Sequence, residues 1–399
     1  MGFRADFIII TLVGRLLIIS FDAVADSVWK SAPDSCRNIK AFTSSAETFT
    51  GVRSIFLSNT YPIHCSVATG KPPKEHGVLN NVAPFPGPIP KWTISASAIK
   101  VRTIWQAAAE AGLKVATFLW PCTGGSPHIR WNIPEIPPVP GQKQIAANLK
   151  EGSKLLQLGV ILRHGDLVRR ITPATVDELT TVCAADVLRR KKPDLTLVHL
   201  TRSDSLGHEL GPGPETSALI YEAMDKSLGV LLDAAGGETE VIAFSDHGCK
   251  AVHTEPAPND LLKDMGLFGE DCFFECCGGS VFLHAGALPE PKLLAVREKA
   301  EDLEGFSRFL TDDEMSESGR KGLPFGFGFL PGYSAEPLPT GHKGNHGYPL
   351  DVPDYNVFYA IRGRGFSPGA ARTGGSLLDI APIAASLLGV DMKQERSAK

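Results

Sequence analysis

Residues 16–22, Leu-Leu-Ile-Ile-Ser-Phe-Asp, form an apolar run that ends on a carboxylate. Such a run, without alternation of polar and apolar residues, is typical of a strand buried on both faces of a parallel sheet. Comparable short runs occur at residues 114–119, 195–200, 241–245 and 357–361. Helical patterns lie between them, near residues 101–112, 174–191, 215–235 and 376–388. The alternation predicts an α/β fold, in which helices cover both faces of a central, mostly parallel sheet.

The chain of 399 residues is long enough for one large α/β domain or two smaller ones. We predict a single domain over residues 15–399. Residues 265–340 interrupt its pattern with Gly-Gly, short alternating runs and Gly-Phe-Gly-Phe, which predict a small antiparallel insertion. We expect this insertion and the Pro- and Gly-rich residues 121–142 to form the rim of a site. Residues 1–14 are an extension of unknown role.

The composition is that of an ordinary soluble globular protein, with 43% hydrophobic and 21% charged residues. A formal net charge of -4 and a pI near 6.3 give no basic surface for nucleic acid. The eight cysteines follow no regular spacing, and Cys272, Cys276 and Cys277 have no second ligand pair that would complete a zinc knuckle. We therefore expect free thiols in a reducing compartment.

The amino-terminal segment allows two interpretations. Residues 7–21 are mostly apolar, Arg4 precedes them, and residues 23–25 resemble the cleavage site of a signal peptide. Arg15 within the apolar stretch and Asp22 just before the cut argue against cleavage. We expect an uncleaved cytoplasmic protein, or a secreted one only if Asp22 is retained. No other stretch is long enough to span a membrane.

Acidic residues follow three of the predicted strands. Asp22 and Asp246 come directly after their strands, and Asp204 lies four residues beyond Leu200. The carboxyl ends of parallel strands line the ligand crevice of an open α/β sheet. A single Asp in this position can be a helix cap, whereas three of them indicate a ligand site.

Histidines accompany these carboxylates. His208 lies four residues after Asp204, His247 follows Asp246, and His346 lies beside a glycine ahead of the last predicted strand. Each histidine alone is more often a structural residue, but carboxylates and imidazoles together suit zinc or another borderline divalent ion. The sequence therefore predicts two divalent metal ions, most consistent with zinc, at the carboxyl edge of the sheet.

A nucleophile candidate lies in residues 58–70, Ser-Asn-Thr-Tyr-Pro-Ile-His-Cys-Ser-Val-Ala-Thr-Gly. Pro62 suits a first helical turn and Gly70 a helix C-cap, which places the Thr60 hydroxyl at a helix N-terminus. Free N–H groups and the helix dipole there favour an alkoxide and a bound phosphate. The segment alone slightly favours an interpretation in which Thr60 is only the N-cap.

The charge of such a site bears on its substrate. Two divalent ions and three aspartates would leave a net charge of about +1, which falls to zero when Thr60 ionises. This balance suits a singly charged phosphodiester, whereas a doubly charged monoester needs further positive charge. Arg130, Lys74 and Lys343 are candidates for supplying it, since each lies near a motif or a rim segment.

Five motifs resemble, in their order, those of the alkaline phosphatase superfamily, and most closely its type I phosphodiesterase/nucleotide pyrophosphatase family. They are the strand ending at Asp22, the segment from Thr60 to Asn81, and residues 203–212, 245–248 and 346–348. The resemblance covers roughly residues 15–390. It departs from the family at Ile63, where the nucleotide pyrophosphatases usually have Asn, and in the two rim segments that would shape the substrate pocket.

The resemblance implies an alkaline-phosphatase-like fold and a role for each motif residue. Asp204, His208 and His346 would hold one zinc ion. Asp22, Asp246 and His247 would hold the other, which the Thr60 oxygen would also reach. Thr60 would attack the phosphorus of a small phosphate ester and form a covalent phospho-threonine, which water then hydrolyses. Asn81 would bind a phosphate oxygen.

Three functions remain open from the sequence. The first is hydrolysis of phosphodiester or nucleotide pyrophosphate bonds, and the second is a phosphomonoesterase or phosphonate hydrolase of the same superfamily. The third is a binding protein that has lost catalysis, against which stands the complete set of ligands. Sulfate ester hydrolysis is disfavoured, because threonine cannot become the formylglycine that related sulfatases use.

Overall fold

The computed structural model of the chain describes residues 14–84 and 89–393. The predicted extension at residues 1–14 therefore lies outside the described residues, except for Gly14. Strands within the described ranges are β1 (Leu16–Phe21), β2 (Glu47–Val52), β3 (Val115–Phe118), β4 (Trp131–Ile133), β5 (Leu195–Leu200), β6 (Glu240–Phe244), β7 (Lys250–Thr254), β8 (Phe273–Cys276), β9 (Ser280–His284), β10 (Phe306–Phe309), β11 (Gly326–Phe329), β12 (Gly332–Tyr333), β13 (Gly344–Asn345), β14 (Val357–Arg362) and β15 (Ala371–Thr373).

Helices alternate with these strands as the sequence predicts. They are α1 (Asp26–Lys30), α2 (Arg37–Ser45), α3 (Thr60–Thr69), α4 (Pro73–His76), α5 (Ile104–Glu110), α6 (Gln144–Glu151), α7 (Lys154–Arg169), α8 (Val176–Lys191), α9 (Arg202–Leu210), α10 (Pro214–Ala235), α11 (Pro258–Asp264), α12 (Glu290–Glu301), α13 (Asp312–Glu317) and α14 (Ile380–Leu388). Among the described residues, no helix has the length and apolar character needed to cross a membrane.

The central sheet has the strand order β15-β2-β14-β6-β1-β5-β3-β4. Strand β14 runs antiparallel to both of its neighbours, and every other neighbouring pair is parallel. The apolar run at residues 16–21 is β1. It pairs in register with β5, from Leu16 opposite Leu195 to Phe21 opposite Leu200. The predicted α/β class, with its mostly parallel central sheet, is therefore confirmed.

Helices cover both faces of this sheet, because alternate residues of β1 point to opposite sides. Leu17, Ile19 and Phe21 pack in one apolar cluster with residues of α1, α2, α8 and α10. Leu16 and Ile18 pack in a second cluster with residues of α3, α5 and α14. Burying an aliphatic side chain stabilises a fold by about 1.5–3 kcal/mol, so the two clusters fix the register of the strand from both sides.

Within the described ranges, two smaller sheets accompany the central one. Strands β10-β11-β9-β8 form an antiparallel sheet within the predicted insertion at residues 265–340, and it has its own apolar cluster. Strands β12-β7-β13 form a three-stranded sheet, whose last strand ends at Asn345. This second small sheet matters for the site, because His346 follows it directly.

The carboxyl ends of three adjacent strands carry the candidate ligands. In the order β6-β1-β5, Asp246 and His247 lie just beyond β6, Asp22 follows β1, and α9 begins two residues after β5. Helix α9 carries Asp204 and His208 on successive turns. The sheet thereby brings together side chains that are more than 200 positions apart in sequence, as the 3.0 Å hydrogen bond from the Ala23 N–H to Asp246 Oδ1 illustrates.

Candidate functional site

Asp22, Asp246 and His247 form one candidate ligand group, and all three are buried. Their ligand atoms lie within 4.8 Å of one another. His247 Nε2 is 3.4 Å from Asp22 Oδ1 and 3.4 Å from Asp246 Oδ2. Neither carboxylate oxygen has a hydrogen-bond partner. Since buried polar atoms are almost always satisfied, this pair of unpaired oxygens beside an imidazole nitrogen fits a cation.

Asp204, His208 and His346 form a second group with the same chemistry, again with ligand atoms within 4.8 Å of one another. Asp204 Oδ1 lies 3.3 Å from His208 Nε2 and 3.9 Å from His346 Nε2. This oxygen, too, is buried and without a hydrogen-bond partner. The two groups adjoin, because the rings of His247 and His346 stack with centroids 4.0 Å apart.

Hydrogen bonds from the Nδ1 nitrogen orient each of the three imidazoles. His208 Nδ1–H donates to Gly344 O at 2.8 Å, His346 Nδ1–H donates to Asn59 Oδ1 at 2.8 Å, and His247 Nδ1 is 3.2 Å from Gly248 O. With the proton on Nδ1, the lone pair on Nε2 faces the carboxylates. Metal-bound histidines have this arrangement, in which the remote ring nitrogen donates to an acceptor in the protein.

The pKa values of the candidate ligands reflect several carboxylates that lie close together in the protein interior. Burial, and then the charge of Asp246, raises the pKa of Asp22 well above its ordinary value. Burial disfavours the charged form of His208, but Asp204 outweighs it and raises the pKa of this histidine to about 9. Burial and the neighbouring His247 lower the pKa of His346. A divalent ion in each group would hold these carboxylates ionised and the histidines neutral.

Thr60 is the first residue of α3 and lies beside these groups. Its hydroxyl is 3.3 Å from His247 Nε2, and the residue is 6% exposed. The N-cap position belongs to Asn59, and the helix ends at Gly70 with the left-handed φ of 67° that the sequence predicts. Thr60 is therefore not the N-cap residue of α3. Its hydroxyl faces the ligand groups from the N-terminus of that helix.

Asn81 lies against the same helix end. Its side-chain oxygen accepts the Tyr61 N–H at 2.8 Å, which holds the amide next to the first turn of α3. The residue is half-buried, and its amide nitrogen is the end that remains for a ligand. All seven predicted metal-site residues and Asn81 are thus near the N-terminus of α3 and the carboxyl edge of the sheet.

The three basic residues considered as sources of positive charge, Lys74, Arg130 and Lys343, are less well placed to contribute it to the site. Lys74 forms an ion pair with Glu317 at 2.6 Å. Arg130 lies at the opposite edge of the sheet, where its backbone N–H donates to Val115 at the start of β3. Lys343 alone adjoins a ligand, since its backbone N–H donates to His208 O at 2.8 Å, and its side chain is exposed.

Sequence reasoning missed His199, a buried residue in β5. Its Nε2 is 3.0 Å from Asp22 Oδ2, and its Nδ1 is 3.2 Å from Glu135 Oε2. The ring thus holds the oxygen of Asp22 that does not face His247. An imidazole within the mostly apolar run of residues 195–200 was the signal for it. Asn59 was also missed, because an Asn before a helix is ordinary.

Comparison with known proteins gives the family of this site. Residues 16–305 match the family model described as type I phosphodiesterase/nucleotide pyrophosphatase. The chain belongs to this family. Relatives include the venom phosphodiesterase of Naja atra, 21% identical over 212 residues, and the human ectonucleotide pyrophosphatase/phosphodiesterase family member 1, 25% identical over 213 residues. These matches cover 50% and 49% of the chain but only 22% and 19% of the relatives, so the chain spans about a fifth of their length.

Solved structures of ectonucleotide pyrophosphatases/phosphodiesterases share the fold. An inactive variant of the murine ectonucleotide pyrophosphatase/phosphodiesterase 5, in complex with AMP, has a TM-score of 0.70 and 16% identity, over 96% of this chain and 97% of that chain. The human counterpart has a TM-score of 0.69 and 17% identity, with the same coverage. The expectation of a cytoplasmic protein gains no support from relatives described as venom enzymes and ectoenzymes.

Proposed function

We propose that the chain hydrolyses phosphodiester or nucleotide pyrophosphate bonds, with two zinc ions and with Thr60 as nucleophile. The observation that carries this proposal is the set of three unpaired carboxylate oxygens, on Asp22, Asp204 and Asp246, each facing an imidazole nitrogen. Membership of the type I phosphodiesterase/nucleotide pyrophosphatase family supports the reaction class.

The ligand assignment follows the two groups. Asp22, Asp246 and His247 would hold one ion together with the Thr60 oxygen. Asp204, His208 and His346 would hold the other. Aspartate and histidine are ligands that zinc accepts at about 2.0–2.2 Å, in sites with three protein ligands and an open position. When bound, the pair of ions supplies positive charge that favours the Thr60 alkoxide and the phosphoryl oxygens of the substrate.

The residues of the chain then divide the chemistry. Thr60 Oγ1 attacks phosphorus, the bond from phosphorus to the leaving oxygen breaks, and a phospho-threonine forms. Water hydrolyses this ester in a second step and regenerates the hydroxyl. The Asn81 amide nitrogen binds a phosphoryl oxygen, as its place beside the first turn of α3 allows. The positive end of the α3 dipole favours negative charge on the transferred group.

The charge of the site favours a diester. The three aspartates and an ionised Thr60 balance two divalent ions, so a singly charged diester adds one negative charge and a monoester dianion adds two. Uncompensated charge in a desolvated pocket is costly. Of the three candidate cations, Lys74 is paired with Glu317, Arg130 lies at the far edge of the sheet, and Lys343 is solvent-exposed.

A comparison of rates on zinc-loaded protein tests the proposal. We expect kcat/KM for bis-p-nitrophenyl phosphate and for the p-nitrophenyl ester of thymidine monophosphate to exceed that for p-nitrophenyl phosphate. Lys343→Ala is the matched control, and it should leave this ratio unchanged. Faster cleavage of the monoester would favour a phosphomonoesterase or phosphonate hydrolase instead. Two bound ions without turnover of any ester would favour a binding protein.

A further inference from the structure

A chain of hydrogen bonds leaves His346 and runs away from the candidate metal centre. Nδ1–H of His346 donates to Asn59 Oδ1 at 2.8 Å, and Asn59 Nδ2 donates to Asn80 Oδ1 at 2.9 Å. Asn80 Nδ2 donates to Glu275 Oε1 at 3.1 Å. The Glu275 carboxylate in turn accepts from Arg320, through Nε at 3.1 Å and through Nη2 at 2.5 Å.

The members of this chain are buried, although they come from distant parts of the sequence. Asn59 precedes α3, Asn80 follows α4, and Glu275 lies in β8 of the antiparallel sheet. None of the five is more than 8% exposed. The chain therefore links the inserted antiparallel sheet to a residue of the candidate metal centre, without solvent to rearrange its donors and acceptors.

The carboxylate at one end dictates the direction of every bond. An ionised carboxylate can only accept, so Asn80 must present its NH2 group to Glu275 and its oxygen to Asn59. Asn59 must then present its own NH2 group to Asn80, which leaves its oxygen for His346. The ring nitrogen that faces this oxygen has to carry the proton. The other nitrogen, Nε2, is thereby left with its lone pair towards Asp204.

Two further contacts support this direction. Burial opposes ionisation of Glu275, but the charge of Arg320 outweighs it and keeps the pKa of the carboxyl below its usual range. The backbone N–H of Asn81, which can only donate, gives a second hydrogen bond to Asn80 Oδ1, at 2.8 Å. An inverted Asn80 would place its NH2 group against this N–H, so the asparagine is held from both sides.

We propose that Glu275 is a positioning residue, which fixes the ring tautomer of His346 through the two asparagines. This inference rests on the proposed function, because it takes His346 as a metal ligand. Polar partners of ligating histidines commonly change metal affinity by about 10–100-fold when they are removed. Glu275 would act in this way from three hydrogen bonds away, and on only one of the two ions.

A cycle of near-isosteric substitutions tests the relay. Glu275→Gln replaces a carboxylate, which can only accept, by an amide that can also donate, and Asn80→Asp sets two carboxylates against each other. Each single variant should bind one zinc ion at least about tenfold more weakly than the wild type and keep the other unchanged. In the double variant, the new amide at position 275 donates to the new carboxylate at position 80, which again accepts from Asn59. We therefore expect recovery of most of the lost affinity, whereas a packing role predicts that the two losses add.

The readouts are zinc affinity, measured by competition with a chromophoric chelator, and the absorption spectrum of the cobalt-substituted protein. His284→Gln is the matched control, since His284 Nε2 also contacts the Glu275 carboxylate, at 3.1 Å, but lies off the chain. It should bind both ions as the wild type does. Asn59→Leu leaves the ion pair of Glu275 and Arg320 in place and should weaken the same single ion, so it replaces Glu275→Gln if that variant does not fold.

The outcomes separate the inference from the proposal on which it rests. A wild-type protein that does not bind two ions overturns the proposed function, and the relay with it. Two tight ions in the wild type, together with unchanged affinities in both Glu275→Gln and Asn59→Leu, overturn the relay alone. Equal weakening of both ions, or a double variant with the summed losses of the single ones, also overturns it.

Discussion

Replacing Thr60 by alanine separates a nucleophile from a structural residue. The side chain is 6% exposed and makes one hydrogen bond, at 3.3 Å to His247, which is long for its type. Losing this bond should cost about 0.5–1.5 kcal/mol, and losing the buried methyl group about 0.8 kcal/mol. The cap of α3 is unaffected, because Asn59 occupies that position. We therefore expect a loss of about 1–2 kcal/mol in the free energy of unfolding.

Activity should respond on a different scale. Without the Thr60 hydroxyl no phospho-threonine can form, and we expect kcat/KM for a phosphodiester to fall by about 10³-fold or more. The six Asp and His ligands remain, so the zinc content should stay at two ions per chain. Thr60→Ser is the matched control, since it keeps the hydroxyl and loses only the methyl group, and its activity should stay within about tenfold of the wild type.

The assay combines three measurements on the same preparations. Steady-state hydrolysis of bis-p-nitrophenyl phosphate gives kcat/KM, metal analysis gives the zinc content, and thermal unfolding gives Tm. An alanine variant that keeps two zinc ions and more than about a tenth of the wild-type activity would refute the covalent mechanism. Mass spectrometry after rapid acid quench should find a chain that carries a p-nitrophenyl phosphoryl group in the wild type and none in Thr60→Ala.

Two further predictions concern stability. Gly70→Ala should lower the free energy of unfolding by more than the roughly 1–2 kcal/mol that a left-handed alanine costs, because the new Cβ would lie 3.3 Å from the Cβ of Ala381. Gly112 also has a left-handed φ, but open space surrounds it. Gly112→Ala therefore measures the backbone strain alone. Arg320 keeps the pKa of the buried Glu275 carboxyl below its ordinary value. The pair therefore stabilises the fold at pH values above the pKa that Glu275 has in the unfolded chain. This contribution is lost as the pH falls towards the lower pKa that Glu275 has in the folded chain. Tm should therefore fall less steeply between about pH 5 and 3 in Glu275→Gln than in the wild type, and parallel curves would contradict this assignment.

Much of the sheet could be predicted because its central strands are rich in apolar residues. β1, β5 and β6 are buried along their whole length and are mostly apolar, with Ser20, Thr196, His199 and Glu240 as their polar residues. β2, with the sequence Glu-Thr-Phe-Thr-Gly-Val, was missed because its polar residues resemble a loop. Its Glu47 is buried and accepts from the Ser367 backbone and from Arg372, and these partners are more than 300 positions away. No local pattern reports such contacts.

The candidate ligands were predictable for a related reason. Each stands at the end of a recognisable strand or beside a glycine, so the fold implies where they meet. The residues that orient them are different, because Asn59, Asn80 and Glu275 belong to three separate segments with ordinary local sequences. Likewise, the antiparallel direction of β14 has no counterpart in its composition, since an apolar strand can pair either way.

The position of β1 in the sheet has a consequence for how the chain is made. This strand is synthesised before both of its partners, since β5 and β6 end only at Leu200 and Phe244. At about 5–20 residues per second, roughly 10–45 s pass between the completion of β1 and that of β6. Both edges of this apolar strand stay unpaired until β5 is complete, and one edge until β6 is complete, which is the condition under which nascent chains associate wrongly or recruit chaperones. His346 leaves the ribosome later still, so the complete set of candidate ligands first exists well after β1, β5 and β6.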